Sequence, residues 1–160
     1  MFLSPGVQAG MIEHDELCSL IPHAGDMCLL DRVIEWNDTE IVCETFSHQN
    51  SKNPLRCEEG LSSVTGIEYG GQAMAIHGSL LGSTPAEDQL LYLAAARDVQ
   101  FELNWLHDID HPLTVRAERL MADVNGMIYQ FSVHALSRLL VQGRLTVMMS
   151  VIKQKKEQAR

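Results

Sequence analysis

Residues 63–81 read SVTGIEYGGQAMAIHGSLL, and this stretch decides the fold. Its residues are nearly all small or apolar: Val64, Ile67, Ala73, Met74, Ala75, Ile76, Leu80 and Leu81. Glu68 is its only formal charge. A surface helix carries a polar stripe; a helix apolar on every side is expected to be buried on every side. Ser62 or Ser63 suits the N-cap, because a hydroxyl accepts from the free N–H groups of a first turn. Gly82 followed by Pro85 supplies the stop.

Strands to cover such a helix lie on both sides of it. Upstream, 29–36 and 40–46 form a strand pair across a turn at Asn37-Asp38, with Ile41, Cys43 and Thr45 alternating. Downstream, strands are expected over 91–103, 112–121, 127–136 and 144–152, with Leu113, Val115 and Ala117 alternating against Thr114, Arg116 and Glu118. Asn125-Gly126 is a strong hairpin signal, and Gln142-Gly143 reads as a further turn. A short helix is expected over 13–20, then a loop through 21–25. The polar tail from about 153 should fray. No repeat or linker divides the chain, so 1–160 reads as one domain. The economical packing is α+β, a curved antiparallel sheet wrapped around one long central helix. Its open edge calls for at least a dimer.

Composition excludes several classes. The chain is 46% hydrophobic and 21% charged, ordinary values for a globular protein, and its formal charge of −9 speaks against a nucleic-acid partner. No run approaches the ~18 apolar residues that a membrane span needs, and the N-terminus has no basic region of a secretory signal. Cys18, Cys28, Cys43 and Cys57 have neither the spacing of a zinc site nor that of a disulfide framework, so they read as reduced thiols packed as small apolar groups. No metal site is expected, and the cytoplasm is the expected compartment.

Two motifs now carry a resemblance. LIPH at 20–23, followed by MCLLDRV at 27–33, resembles the opening of the 3-hydroxyacyl-ACP dehydratases, and GIEYGGQAMA at 66–75 resembles their central helix. The NPLR stretch at 53–56 and GIEYGGQAMAIHG at 66–78 are similar to the ApeP-like branch found with aryl-polyene synthesis. The likeness spans roughly residues 20–151. It implies a hotdog fold and dehydration of a 3-hydroxyacyl group on an acyl carrier protein. That substrate brings its own phosphopantetheine, so no resident cofactor is implied. The usual HFPxxPxxPG histidine motif is absent, and Gln72 stands where the family's helix carboxylate is expected. The nearest alternatives are Glu68, one helical turn earlier on the same face, and the loop residue His48.

Dehydration needs a base for the proton beside the carbonyl, an acid for the departing hydroxyl and a cradle for the enolate oxygen. Histidine suits the first, since its ordinary pKa of ~6.5 lies near working pH. A carboxyl group in apolar surroundings can remain protonated and donate. The expected assignment is His48 as base and Glu68 as acid. Backbone N–H groups around Gly70 and Gly71 would hold the oxygen at the helix start. Gln72 would orient water or the hydroxyl, and Asn53 would line the substrate site. His77 reads as a hydrogen-bonded core residue and His23 as a structural one. Lys52, Arg56, Arg97 and Arg116 offer basic points for an acidic carrier protein or a pantetheine phosphate. Two alternatives stay open: a hotdog thioesterase, or a non-catalytic hotdog subunit that pairs with an active partner, so the oligomer is a homodimer or a heterodimer.

Overall fold

The sheet and its helix form largely where the residue pattern puts them. A computed structural model describes residues 10–22, 25–83 and 85–152. In chain order its elements are β1 (Ile12–Glu13), α1 (His14–Ser19), β2 (Arg32–Trp36), β3 (Glu40–Thr45), α2 (Gly66–Leu80), β4 (Gln89–Phe101), β5 (Leu113–Ala122), β6 (Gly126–Ala135) and β7 (Arg138–Val151). The strands make one antiparallel sheet of seven, ordered β1-β2-β3-β5-β6-β7-β4. α2 packs against β3, β5, β6 and β7, the arrangement of the expected hotdog fold.

A one-turn 3-10 segment, Ser63–Thr65, leads into α2, and Ser62 Oγ caps it by accepting from Val64 N–H at 3.3 Å. Gly82 ends it at a φ of +76°, a left-handed conformation that glycine adopts without a steric penalty. Successive side chains of a strand point to opposite faces, so alternate residues of β5 and β6 reach the helix. Leu113, Val115 and Ala117, with Tyr129, Phe131 and Val133, are buried in one core with Tyr69, Ala73 and Ile76 of α2.

The helix itself corrects the expectation of burial on every side. Tyr69, Gly70, Ala73 and His77 are buried, whereas Ile67, Glu68, Gly71 and Ala75 are only half-buried and line an open groove. An apolar second face therefore served a cavity rather than a second layer.

Two further expectations fail for physical reasons. Gln142-Gly143 is no turn: it lies inside β7, paired with Ser132 and Phe131 of β6. The hairpin turns at Leu136, which takes a φ of +53°, and Ser137. Gly143 is in the strand because a Cβ there would sit 2.9 Å from Val99 and 3.0 Å from Phe131 on the flanking strands. The Asn125-Gly126 turn forms as expected, with Asp123 Oδ1 accepting both N–H groups at 2.7 and 3.1 Å.

The second failure concerns the cysteines. Cys18 and Cys28 are joined by a disulfide across a Cα–Cα distance of 5.8 Å, and only Cys43 and Cys57 are free. The pairing comes from α1 packing on the segment ahead of β2, which a ten-residue spacing does not reveal. Burial pushes the Cys43 thiol well above its usual range. Among the described residues no helix is long and apolar enough to cross a membrane.

Candidate active site

A groove of about 700 Å³ lies between the outer face of α2 and strand β4. Ile67, Gly71, Met74 and Ala75 form one wall, Leu91 and Leu93 another, and Leu20, Ile21 and Pro22 close the side. Among the described residues that line it, Glu68 is the only one with a carboxyl group. From residue 68 to residue 78 the helix runs about 15 Å, at 1.5 Å per residue, so the groove suits an extended acyl chain. The chemistry available is an apolar channel with one acid on its wall, within the first turn of a helix.

Gln72 holds that acid. Its Nε2 donates to Glu68 Oε1 at 3.1 Å and to the Met27 carbonyl at 2.7 Å, while its Oε1 accepts from Leu29 N–H at 2.9 Å. Both amide hydrogens and one acceptor position are therefore used inside the protein. Gln72 is buried and positions Glu68; it does not face substrate, which corrects its expected role. A carboxylate at this position could not donate to Met27. An amide here serves donor and acceptor partners at once.

The oxygen cradle at Gly70 and Gly71 also needs correction. α2 starts at Gly66, so the N–H groups from Gly70 onward are committed to carbonyls one turn earlier. Gly70 faces the sheet, where a Cβ would meet the Phe131 ring at 2.5 Å. Gly71 does line the groove, and a Cβ there would meet nothing within 4 Å. Gly70 is a packing glycine; Gly71 keeps the groove wide.

Asn53 is likewise a brace rather than a groove residue. Its Nδ2 donates to Ser47 O at 2.9 Å and Tyr69 OH at 3.1 Å, and its Oδ1 accepts from Leu55 N–H at 3.0 Å. Ser47 Oγ meets the same Tyr69 hydroxyl at 2.7 Å. Burial raises the Tyr69 pKa, with these hydrogen bonds opposing it.

His48 is brought to a different place from Glu68. It is fully buried, with Nε2 bonded to Ile109 O at 3.0 Å and Nδ1 without a hydrogen-bond partner among the described residues, and it does not line the groove. Burial lowers its pKa, against the opposing pull of the Ile109 and His111 backbone contacts and of Asp31. His77 is the core residue that was expected, tied to Tyr129 OH and Asn37 O at 2.7 Å each. His23 lies outside the described residues. Of the basic candidates, Arg116 pairs with Glu40 at 3.2 Å, whereas Lys52 and Arg97 are exposed.

Sequence reasoning missed Met27, Leu29, Ser47 and Tyr69, the groups that seat the loop and Gln72. The mixed polarity of Tyr69 and Gln72 in an otherwise apolar helix was the available signal. Among the described residues His14, Cys18 and Cys28 are the one trio with ligand atoms within 4.8 Å of each other, and two of those atoms are bonded together.

Comparison with known proteins agrees with this fold. The solved dehydratase heterocomplex ApeI:P from Xenorhabdus doucetiae superposes with a TM-score of 0.71 at 21% identity, covering 84% of this chain and 90% of that one. Thioesterase HI1161 from Haemophilus influenzae gives 0.61 at 12% identity over 92% and 97% of the two chains. Thioesterase PA1618 from Pseudomonas aeruginosa gives 0.63 at 10% over 87% and 94%. Such identities speak for the hotdog fold alone. A search of curated proteins finds no match. The family model for ApeP-like proteins, described as ApeP dehydratase, matches residues 16–158, and the chain belongs to that family.

Proposed function

We propose that the chain removes water from a 3-hydroxyacyl thioester carried on an acyl carrier protein, as one subunit of a two-chain hotdog assembly in the cytoplasm. The observation that carries the reading is Glu68, a single carboxyl on the wall of an apolar groove long enough for an acyl chain. Glu68 protonates the departing hydroxyl; in a first reading His48, leaving its enclosed place to reach the groove, takes the C2 proton; the C2–C3 double bond forms and water leaves, with the thioester intact. No resident cofactor takes part, since the pantetheine arm arrives with the substrate. The exposed apolar residues Leu90, Tyr92 and Leu93 of edge strand β4 support a second hotdog subunit at this edge. The ApeI:P relative, a heterocomplex, supports a non-identical partner. Exposed Lys52 and Arg97 are the proposed contacts for the acidic carrier protein.

The burial of His48 away from the groove favours a second reading, in which this chain supplies the groove and Glu68 and the partner supplies the base. One experiment separates them. Purified chain, alone and mixed with a candidate partner, is incubated with a short 3-hydroxyacyl thioester on carrier protein and followed by mass. Loss of one water with the thioester intact supports dehydration; release of free thiol and acid makes the chain a thioesterase instead. Glu68→Gln should lower the rate about 10²-fold or more in either reading. His48→Ala should do the same in the first reading and leave the rate of the mixture unchanged in the second.

A further inference from the structure

The Cys18–Cys28 disulfide joins the wall of the groove to the brace of its acid. Cys18 is on α1, whose continuation through Leu20, Ile21 and Pro22 closes one side of the groove. Ser79 of α2 fixes that wall by donating to Leu20 O at 2.7 Å. Cys28 stands between the two residues that grip Gln72, the Met27 carbonyl and the Leu29 N–H. Gln72 in turn holds Glu68.

The two halves of the bond differ in access. Cys28 is buried, Cys18 is half-buried, and His14 beside it is exposed. The His14 ring nitrogens lie 3.5 and 3.6 Å from Cys18 Sγ, and Nδ1 lies 3.0 Å from Leu30 O. A carbonyl only accepts, so Nδ1 carries the hydrogen in that contact and Nε2 keeps its lone pair. A sulfur that solvent reaches, with a base next to it, is open to attack by and on an external thiol; a fully enclosed pair is not.

We propose that Cys18 and Cys28 form a thiol–disulfide exchange site whose state sets the grip of Gln72 on Glu68. In oxidation, Cys18 loses its proton to His14 and attacks one sulfur of a low-molecular-weight disulfide of the glutathione class, expelling one thiolate. Cys28 then attacks Cys18 Sγ and expels the second. Two electrons and two protons pass from the protein dithiol to the small disulfide, which leaves as two thiols. Reduction reverses both steps. Without the bond, the Met27–Cys28 segment is held by its hydrogen bonds and by the packing of Cys28 in the core. The Leu29 carbonyl stays fixed by Thr45 and Ser47 at 2.6 Å each, so loosening is confined to the Met27 carbonyl and the Leu29 N–H. The proposal rests on the functional reading of Glu68 only for its catalytic consequence.

The test equilibrates the full chain in glutathione buffers of graded potential, quenches with acid, alkylates and reads intact mass. In parallel, amide hydrogen exchange at Leu29 is followed by NMR in the disulfide and dithiol forms. Two alkyl groups should appear, on Cys18 and Cys28, as the buffer becomes reducing. Leu29 should exchange about tenfold faster or more in the dithiol form. Cys18→Ser, which leaves buried Cys28 in place, should show the fast exchange even under oxidising conditions. Alkylation of both cysteines in the most oxidising buffer overturns the proposal, and so does a Leu29 rate that is the same in all three species. If mass and exchange behave as stated but no thioester loses water, the exchange site stands and the functional reading falls.

Discussion

Replacing Gln72 by glutamate restores the residue type expected at this position among related dehydratases, and the structure requires that it do harm. Ionised, the introduced carboxyl loses the donation to Met27 O at 2.7 Å and faces Glu68 Oε1 at 3.1 Å; protonated, it has one hydrogen for two acceptors. Leaving a buried carbonyl without its donor costs about 1–3 kcal/mol. Two carboxylates at this separation cannot both ionise, so the introduced carboxyl is driven to hold its proton, at about 1.4 kcal/mol per unit of pKa shift. Together these place the variant about 2–4 kcal/mol below the parent near neutral pH, or about 5–15 °C in Tm for a chain of this length. The sign with pH is fixed. A carboxyl whose folded pKa is raised contributes most below its unfolded value of ~4.3 and loses that contribution as pH rises through the folded one. The gap between variant and parent should therefore widen from pH 5 to pH 8. Urea unfolding of both proteins at those two pH values measures it. Equal midpoints at pH 8, or a gap that narrows as pH rises, would refute the positioning role of Gln72.

Adjacent glycines should respond oppositely. Gly70→Ala forces a methyl into the Phe131 ring and should destabilise by about 1–3 kcal/mol, whereas Gly71→Ala, with open space around it, should gain up to ~1 kcal/mol of helix propensity while narrowing the groove. Thermal melts and acyl-thioester binding read both effects; equal melting shifts would sink the assignment of faces. Stability should hold above about pH 6.5 and decline below it. Burial lowers the folded pKa values of His48, His77 and His134, so the unfolded chain binds more protons on the acid side. A chemical-denaturation series across pH 5–8 that stays flat would contradict this. Leu93→Arg, in the exposed apolar run of β4, should weaken association with a second subunit by either partner choice. Sedimentation with unchanged assembly would remove that edge from consideration.

The parts of this molecule that sequence could show are those carried by local pattern. Alternation along β5 and β6 and the apolar length of α2 were legible because burial writes itself into neighbouring residues at periods of 2 and 3.6. Glu68 was legible for the same reason, as the one charge in an apolar run. What stayed hidden is long-range. The Cys18–Cys28 bond, the seat of Gln72 on Met27 and Leu29 and the enclosure of His48 by Ile109 each depend on segments that meet only after the sheet forms. Gly143 shows the same limit in reverse. A glycine signals a turn or a close approach equally well, and only Val99 and Phe131, distant in sequence, decide between them.

The register of the acid follows from this long-range seating. Position 72 is enclosed by the loop ahead of β2 and needs a group that donates and accepts at once, which an amide does and an ionised carboxylate does not. One turn toward the N-terminus, position 68 is half-buried on the groove wall, where a carboxyl keeps solvent on one side and an acyl chain's path on the other. The Gln72 amide donates to Glu68 Oε1 and so orients that carboxyl from the enclosed position. Gln72→Glu and Glu68→Gln together should therefore not restore the parent's activity by exchanging positions. The acid would then sit in the enclosed place without access to the groove, and a double variant with parental dehydration rates would show that the register is interchangeable.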